Sequence, residues 1–279
     1  PLNEHAYIDR FESIYAQVAE GLNKDFILPT RVYLTSARCG AVNAYYVPRE
    51  QQIIFCSEFI DLLLEQAESA LDDDLSQRNS IAGPVISIIF HEVGHALIDV
   101  LDIPVLGGEE TAADQLSSLL MSDEPLLAMW AASLWQSLSG GQYPSADQFA
   151  DTHGLVEQRY YNLMCWAYGA DPPVRDYVVA LSGLPIERAE WCGDEFDQMR
   201  TSWGQLLAPY LRNPVAFLAR DPRKNISGVW SFRESMRDRT GAMQCTGTGT
   251  LILWQTGGEL SGSIAQTGTC RGSGRSLDS

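Results

Sequence analysis

Basic side chains are in short supply in this sequence. Nineteen Lys and Arg stand against 36 Asp and Glu, a net charge of −17 over 279 residues. A surface this acidic repels phosphate backbones, which excludes nucleic acid as a partner. No two cysteines form a C-x-x-C pair, so a structural zinc site built of thiolates is excluded as well. No apolar run approaches the length of a membrane span, and no N-terminal segment is signal-like. The opening Pro1-Leu2-Asn3-Glu4 reads as a mature or trimmed start, so that last absence is no argument for the cytosol. The glycine-rich run Cys245–Thr250 is followed by neither a lysine nor a helical pattern, so it is not a phosphate cradle.

Hydrophobic residues make up 45% of the chain, enough for a sizeable core, and this excludes the disordered and fibrous classes. The length fits one large domain and one small one. Charge marks the boundary: residues 220–279 carry eight basic and five acidic side chains, which leaves −20 on the remainder. Two domains are therefore expected, residues 1–219 and residues 220–279. Six cysteines (Cys39, Cys56, Cys165, Cys192, Cys245 and Cys270) pair most simply in sequence order, each bridge bracketing one compact unit. Three disulfides point to an oxidising compartment, secreted or periplasmic.

Apolar positions at helical spacing over residues 8–22 predict an amphipathic helix. Three β-rich runs follow, Arg31–Leu34, Asn43–Val47 and Gln52–Cys56, the last two forming a hairpin whose ends a Cys39–Cys56 bridge would tie. Residues 57–72 read as a helix, Asp72–Asn79 as a polar loop, and an apolar helix then runs to Val100. Pro104 and Gly107-Gly108 separate it from a helix starting at Glu109 or Glu110. Further helices are expected over 125–138 and from Ser145 to Tyr168, with short proline-punctuated helices over 171–218. Strand-like runs at 228–234, 249–255 and 259–266 make the C-terminal part a small antiparallel β module pinned by Cys245–Cys270. Its strands are too few for a closed barrel, and it is a candidate for binding a partner or the substrate. The tail Arg271–Ser279 is expected to be disordered.

Two of only four histidines fall in the run His91-Glu92-Val93-Gly94-His95. Residues four apart share a helix face, so both imidazoles can serve one metal ion, with Glu92 beside them within reach of a bound water. A catalytic zinc takes three protein ligands and keeps one position open. Candidates for the third are Asp99, Asp102, Glu109, Glu110, Asp114 and His153. Asp99 lies one further turn along the same helix, and three ligands strung along one axis cannot converge. A second helix packed against the first is better placed. Glu110 and Asp114 lie one turn apart at its start, which assigns Glu110 as ligand and Asp114 as acceptor of a hydrogen bond from a ligand histidine's free nitrogen. Glu109 reads as a helix N-terminal charge that favours the macrodipole, and stands as the alternative ligand.

His91-Glu92-x-x-His95 followed by Glu110-x-x-x-Asp114 resembles the gluzincin pattern of zinc metallopeptidases. The wider stretch, about residues 30–195, resembles a bacterial metallopeptidase-type family known as a domain of unknown function. The likeness is carried by Cys39–Ala44, His91–Leu116, and His153 with Gln158–Asn162. It departs from thermolysin-like enzymes in its shorter spacer, 14 residues between His95 and Glu110. The resemblance implies an α+β fold: a mainly helical, zincin-like domain with a small N-terminal sheet, joined here to the C-terminal β module. It also implies hydrolysis of a protein or peptide substrate, with zinc as cofactor and Glu92 as general base. His153 becomes the candidate oxyanion donor, with Arg159, Tyr160 and Tyr161 behind it, and the strand Asn43–Val47 becomes a candidate edge for pairing with substrate. Two other functions compete: a zincin scaffold that binds metal or a partner without turnover, and a hydrolase of a non-peptide amide.

Overall fold

In the computed structural model the described residues are 4–70, 74–138, 145, 151–170, 178–179, 182–214, 217, 228–237, 243–256 and 259–272. The chain divides into two compact units, Pro1–Pro222 and Arg223–Ser279.

The first unit is mainly helical around one small sheet. Helix α1 spans Glu4–Asp25 and is followed by strands β1 (Tyr33–Ala37), β2 (Ala44–Val47) and β3 (Gln52–Cys56). The order β1-β3-β2 puts β3 in the centre. It pairs parallel with β1, Tyr33 opposite Gln52, and antiparallel with β2, Ala44 opposite Phe55. The hairpin expected from sequence is therefore present, and the first β-rich run joins its far side, starting at Tyr33 rather than Arg31. The central position of β3 explains its composition: Ile53, Phe55 and Cys56 are buried. Cys56 is bridged to Cys39, which ties the chain before β2 to the end of β3.

Helices α2 (Ser57–Ala70), α3 (Asp74–Val100), α4 (Glu109–Leu120), α5 (Pro125–Leu138), α6 (Val156–Ala170) and α7 (Ile186–Leu207) complete the unit. Helix α3 is its axis and packs against α2, α4, α5, β2 and β3. Ile81, Val85, Ile89 and Val93 recur every four residues and are buried, as one face of a core helix requires. Within it, Asn79–Val100 is long and apolar enough to cross a membrane. The sequence reading missed a run of that length because a histidine pair, a glutamate and a glycine interrupt it. Its residues mostly face the core instead.

Three further expectations need correction. The polar stretch from Asp74 belongs to α3 rather than to a loop. Within the region of expected short helices, residues 186–207 form a single 22-residue helix, α7, and Pro185 sits at its N-cap instead of breaking it. Of the helical region expected from Ser145 to Tyr168, residues 151–155 are irregular and Val156 onward is helical, while 146–150 lie outside the described residues. Helices α6 and α7 are clamped by the Cys165–Cys192 disulfide.

In the second unit the described backbone forms strands β4 (Gly228–Arg237), β5 (Met243–Thr256) and β6 (Glu259–Gly272), antiparallel in that order. The register sets Cys245 opposite Cys270, but the side chains of both lie outside the described residues. Most of the expected disordered tail, 273–279, also lies outside them.

Candidate metal centre

The arrangement starts from two helical pairs of residues one turn apart. His91 and His95 project from α3, and Glu110 and Asp114 from the first turns of α4. The helices meet at Gly94, where a Cβ would stand 2.9 Å from Ala113 Cα. The missing side chain lets α4 approach closely enough for its carboxylates to reach the imidazoles.

Three atoms converge. His91 Nε2 lies 3.2 Å from His95 Nε2 and 3.1 Å from Glu110 Oε2. His95 Nε2 lies 3.4 Å from the same oxygen. A tetrahedral ion with ligand bonds of about 2.0–2.1 Å sets its donors roughly 3.3 Å apart, so the triangle has the size zinc requires. The far side of each ring is held by a carboxylate. His91 Nδ1 donates to Asp114 Oδ1 at 2.8 Å, and His95 Nδ1 donates to Glu109 Oε1 at 2.7 Å. With Nδ1–H so engaged, each neutral imidazole presents a bare Nε2 lone pair towards the other and towards a carboxylate oxygen. Two imidazole nitrogens and a carboxylate oxygen this close together need either protons or a cation between them, and the residues present fit a divalent metal.

The electrostatics agree. Burial opposes charge on both histidines, yet bonds to Asp114 and Glu110 raise the pKa of His91, and Glu110 and Glu109 push His95 up to about 9. Burial also opposes charge on Glu110, but hydrogen bonds from His153, His91 and His95 hold its carboxyl far below the usual range. The cluster is short of positive charge, which is the deficit a dication fills.

Glu92 is buried beside this triangle. Burial pushes its carboxyl pKa up, opposed by His91 and His95, and it accepts the backbone N–H of Tyr46. That amide comes from β2, the sheet edge. The Asn43 carbonyl takes the Cys56 N–H at 3.0 Å, so by alternation the main-chain groups of Ala44 and Tyr46 face away from β3. Tyr46 also donates its hydroxyl to Asp99 Oδ2 at 2.8 Å, which binds the edge strand to α3 a second time. Asp99 is thereby engaged away from the histidines.

His153 comes from the irregular segment before α6. Its Nε2 lies 3.0 Å from Glu110 Oε2, and its Nδ1 donates to Asp151 Oδ1 at 2.9 Å. His91, Glu110 and His153 thus form a second possible ligand triad, with His153 half exposed on the open side. All six residues singled out from sequence, His91, Glu92, His95, Glu110, Asp114 and His153, meet here.

Some partners assigned from sequence lie elsewhere. Arg159 does not stand behind His153 as a spare donor: its Nε and Nη2 donate to Asp114 Oδ2 and Oδ1 at 2.8 and 2.6 Å. Tyr160 is buried and donates to the Ser182 carbonyl, and the Tyr161 ring packs edge-on against it. Glu109 is more than a helix-end charge, since it holds His95. Sequence reasoning missed Asp151, Tyr46 and Gly94. A signal existed only for Gly94, because a glycine inside a helix costs about 1 kcal/mol relative to alanine and marks a close approach.

Residues 3–207 match the profile of a protein family described as "putative metallopeptidase". Neither a curated protein nor a solved structure matches the chain.

Proposed function

From the premise that this chain belongs to that metallopeptidase family, we propose that it is a zinc-dependent peptidase of an oxidising compartment, secreted or periplasmic. The observation that carries the proposal is the convergence of His91 Nε2, His95 Nε2 and Glu110 Oε2 within 3.1–3.4 Å of one another. These three side chains would hold the ion. Zinc in such a site supplies Lewis acidity, lowering the pKa of a water and polarising a carbonyl.

The chain's own residues do the rest. Glu92, with its carboxyl pKa raised by burial, takes the water proton and returns it to the leaving amine. The Tyr46 amide fixes the orientation of that carboxylate. His153, held from behind by Asp151, stands on the exposed side and donates to the oxyanion that develops on the substrate. Asp114 and Glu109 keep the two ligand imidazoles in the tautomer that leaves Nε2 free. The disulfides Cys39–Cys56 and Cys165–Cys192 are consistent with the compartment.

The test is metal analysis and a broad peptide-library assay on wild type, His91→Ala and Glu92→Gln. Wild type is expected to carry about one zinc per chain and His91→Ala none. Glu92→Gln is expected to keep the metal and lose cleavage by about 10²–10⁴-fold. Equal metal in wild type and His91→Ala sinks the site, and a fully metallated wild type inert on the library transfers the protein to the non-catalytic reading.

A further inference from the structure

We propose that Arg159 is a positioning residue of the metal centre, fixing the Asp114 carboxylate and, through it, the His91 ring in the ligating orientation. The inference rests on the metal-binding role proposed for His91.

The geometry is a chain of three buried groups from three helices. His91 on α3 donates to Asp114 Oδ1 at 2.8 Å, and Asp114 on α4 receives both arms of Arg159 from α6. All three residues are buried. The guanidinium carbon lies 3.8 Å from the centre of the Trp135 ring on α5, so a fourth helix supports the face of the cation.

Asp114 alone is a poor anchor. The terminal torsion of an aspartate is broad, and one hydrogen bond to His91 does not stop the carboxylate rotating. Two parallel N–H bonds from a planar guanidinium do, because they fix the carboxylate plane as well as its position. Charge makes the same demand. A histidine that gives its Nε2 lone pair to a metal is neutral, so it offers Asp114 a dipole and no counter-charge. A buried carboxylate without a counter-charge is strongly unfavourable, and Arg159 supplies it. The fork explains why arginine stands here, since a lysine ammonium meets the carboxylate as a single point. Arg159 also follows His153 by only six residues, at the foot of α6. The same grip therefore joins the helix next to His153 to the half of the site that holds His91.

The experiment measures zinc affinity by chelator competition, and the visible spectrum of the cobalt-substituted protein, for wild type, Arg159→Met, Arg159→Lys, Asp114→Asn and the double variant Asp114→Asn with Arg159→Met. Arg159→Met is expected to lose about 10–100-fold in affinity and to shift the cobalt spectrum, as loss of an outer partner does. Arg159→Lys should recover part of both. The double variant should bind no more weakly than Asp114→Asn alone, because an arginine that works through Asp114 has nothing left to contribute. Wild-type affinity and spectrum in folded Arg159→Met overturn the proposal, as does a double-variant loss equal to the product of the single losses. If Arg159→Met does not fold, the comparison of the double variant with Asp114→Asn decides alone. His91→Ala separates the two levels: retained metal there refutes the site itself, whereas loss there with normal binding in Arg159→Met refutes only the positioning role.

Discussion

Gly94→Ala is the sharpest test of how the two helices of the proposed metal site are held. A Cβ at residue 94 would stand 2.9 Å from Ala113 Cα, 3.1 Å from its Cβ and 3.4 Å from its carbonyl oxygen. Two of these neighbours are backbone atoms, so no side-chain rotation relieves the contact. Helix α4 has to retreat by about half an ångström to reach ordinary van der Waals separation. Overpacking of this kind costs about 1–3 kcal/mol, and the helix-propensity gain of alanine offsets up to about 1 kcal/mol of it. The net loss of about 1–2 kcal/mol corresponds to a fall in Tm of roughly 3–6 °C for a unit of this size. The retreat also carries Glu110 and Asp114 away from His91 and His95, whose present distances of 2.8–3.4 Å leave no slack for bonding to a common ion. Zinc affinity should therefore fall about 10-fold or more. Gly21→Ala is the control, since Gly21 lies in α1 with nothing within 4 Å of the added carbon. It should raise stability by about 0.5–1 kcal/mol and leave metal binding alone. Calorimetry and chelator titration read both variants, and a Gly94→Ala protein as stable and as tightly metallated as wild type would refute the reasoning.

Two other perturbations probe the frame around the site. Replacing Cys165 and Cys192 by alanine opens a crosslink across 27 residues and should cost about 3 kcal/mol, read as a lower denaturant midpoint. Glu58, in the first turn of α2, accepts the backbone N–H groups of Cys39 at 3.1 Å and Gly40 at 2.8 Å, and these bonds lower its pKa. A depressed folded-state pKa contributes stability that is present above the unfolded value and lost as pH falls through the folded one. Glu58→Gln should therefore lower Tm at neutral pH, with the difference from wild type vanishing below the folded pKa. A constant difference from neutral to acid pH would show that the carboxylate charge is not what holds the loop.

What the sequence discloses about the site follows from one geometric rule. Helical residues four apart share a face, so His91 with His95 and Glu110 with Asp114 could be assembled on paper into two converging pairs. The rule ends where a partner arrives from an unrelated element. Arg159 reaches Asp114 across 45 residues and Glu109 reaches His95 across 14, and no periodicity links either pair. The resemblance sets Arg159 behind His153 as an oxyanion donor. Helical geometry sends it the other way: it lies in the first turn of a buried helix and projects into the core, where a cation persists only against a buried anion. The same limit applies to β1, whose parallel pairing with β3 is a long-range choice, whereas the β2–β3 hairpin is fixed by its turn. Prolines misled in the opposite direction. Pro185 looked like punctuation between short helices, but a proline that cannot continue a helix can begin one, and it opens α7. Gly94 is the instructive middle case. Its identity is visible inside the motif and its cost in a helix interior is known, so the sequence carries the signal that something must approach there. Only the packing shows that the approaching element is Ala113, on the helix that brings the carboxylates to the histidines.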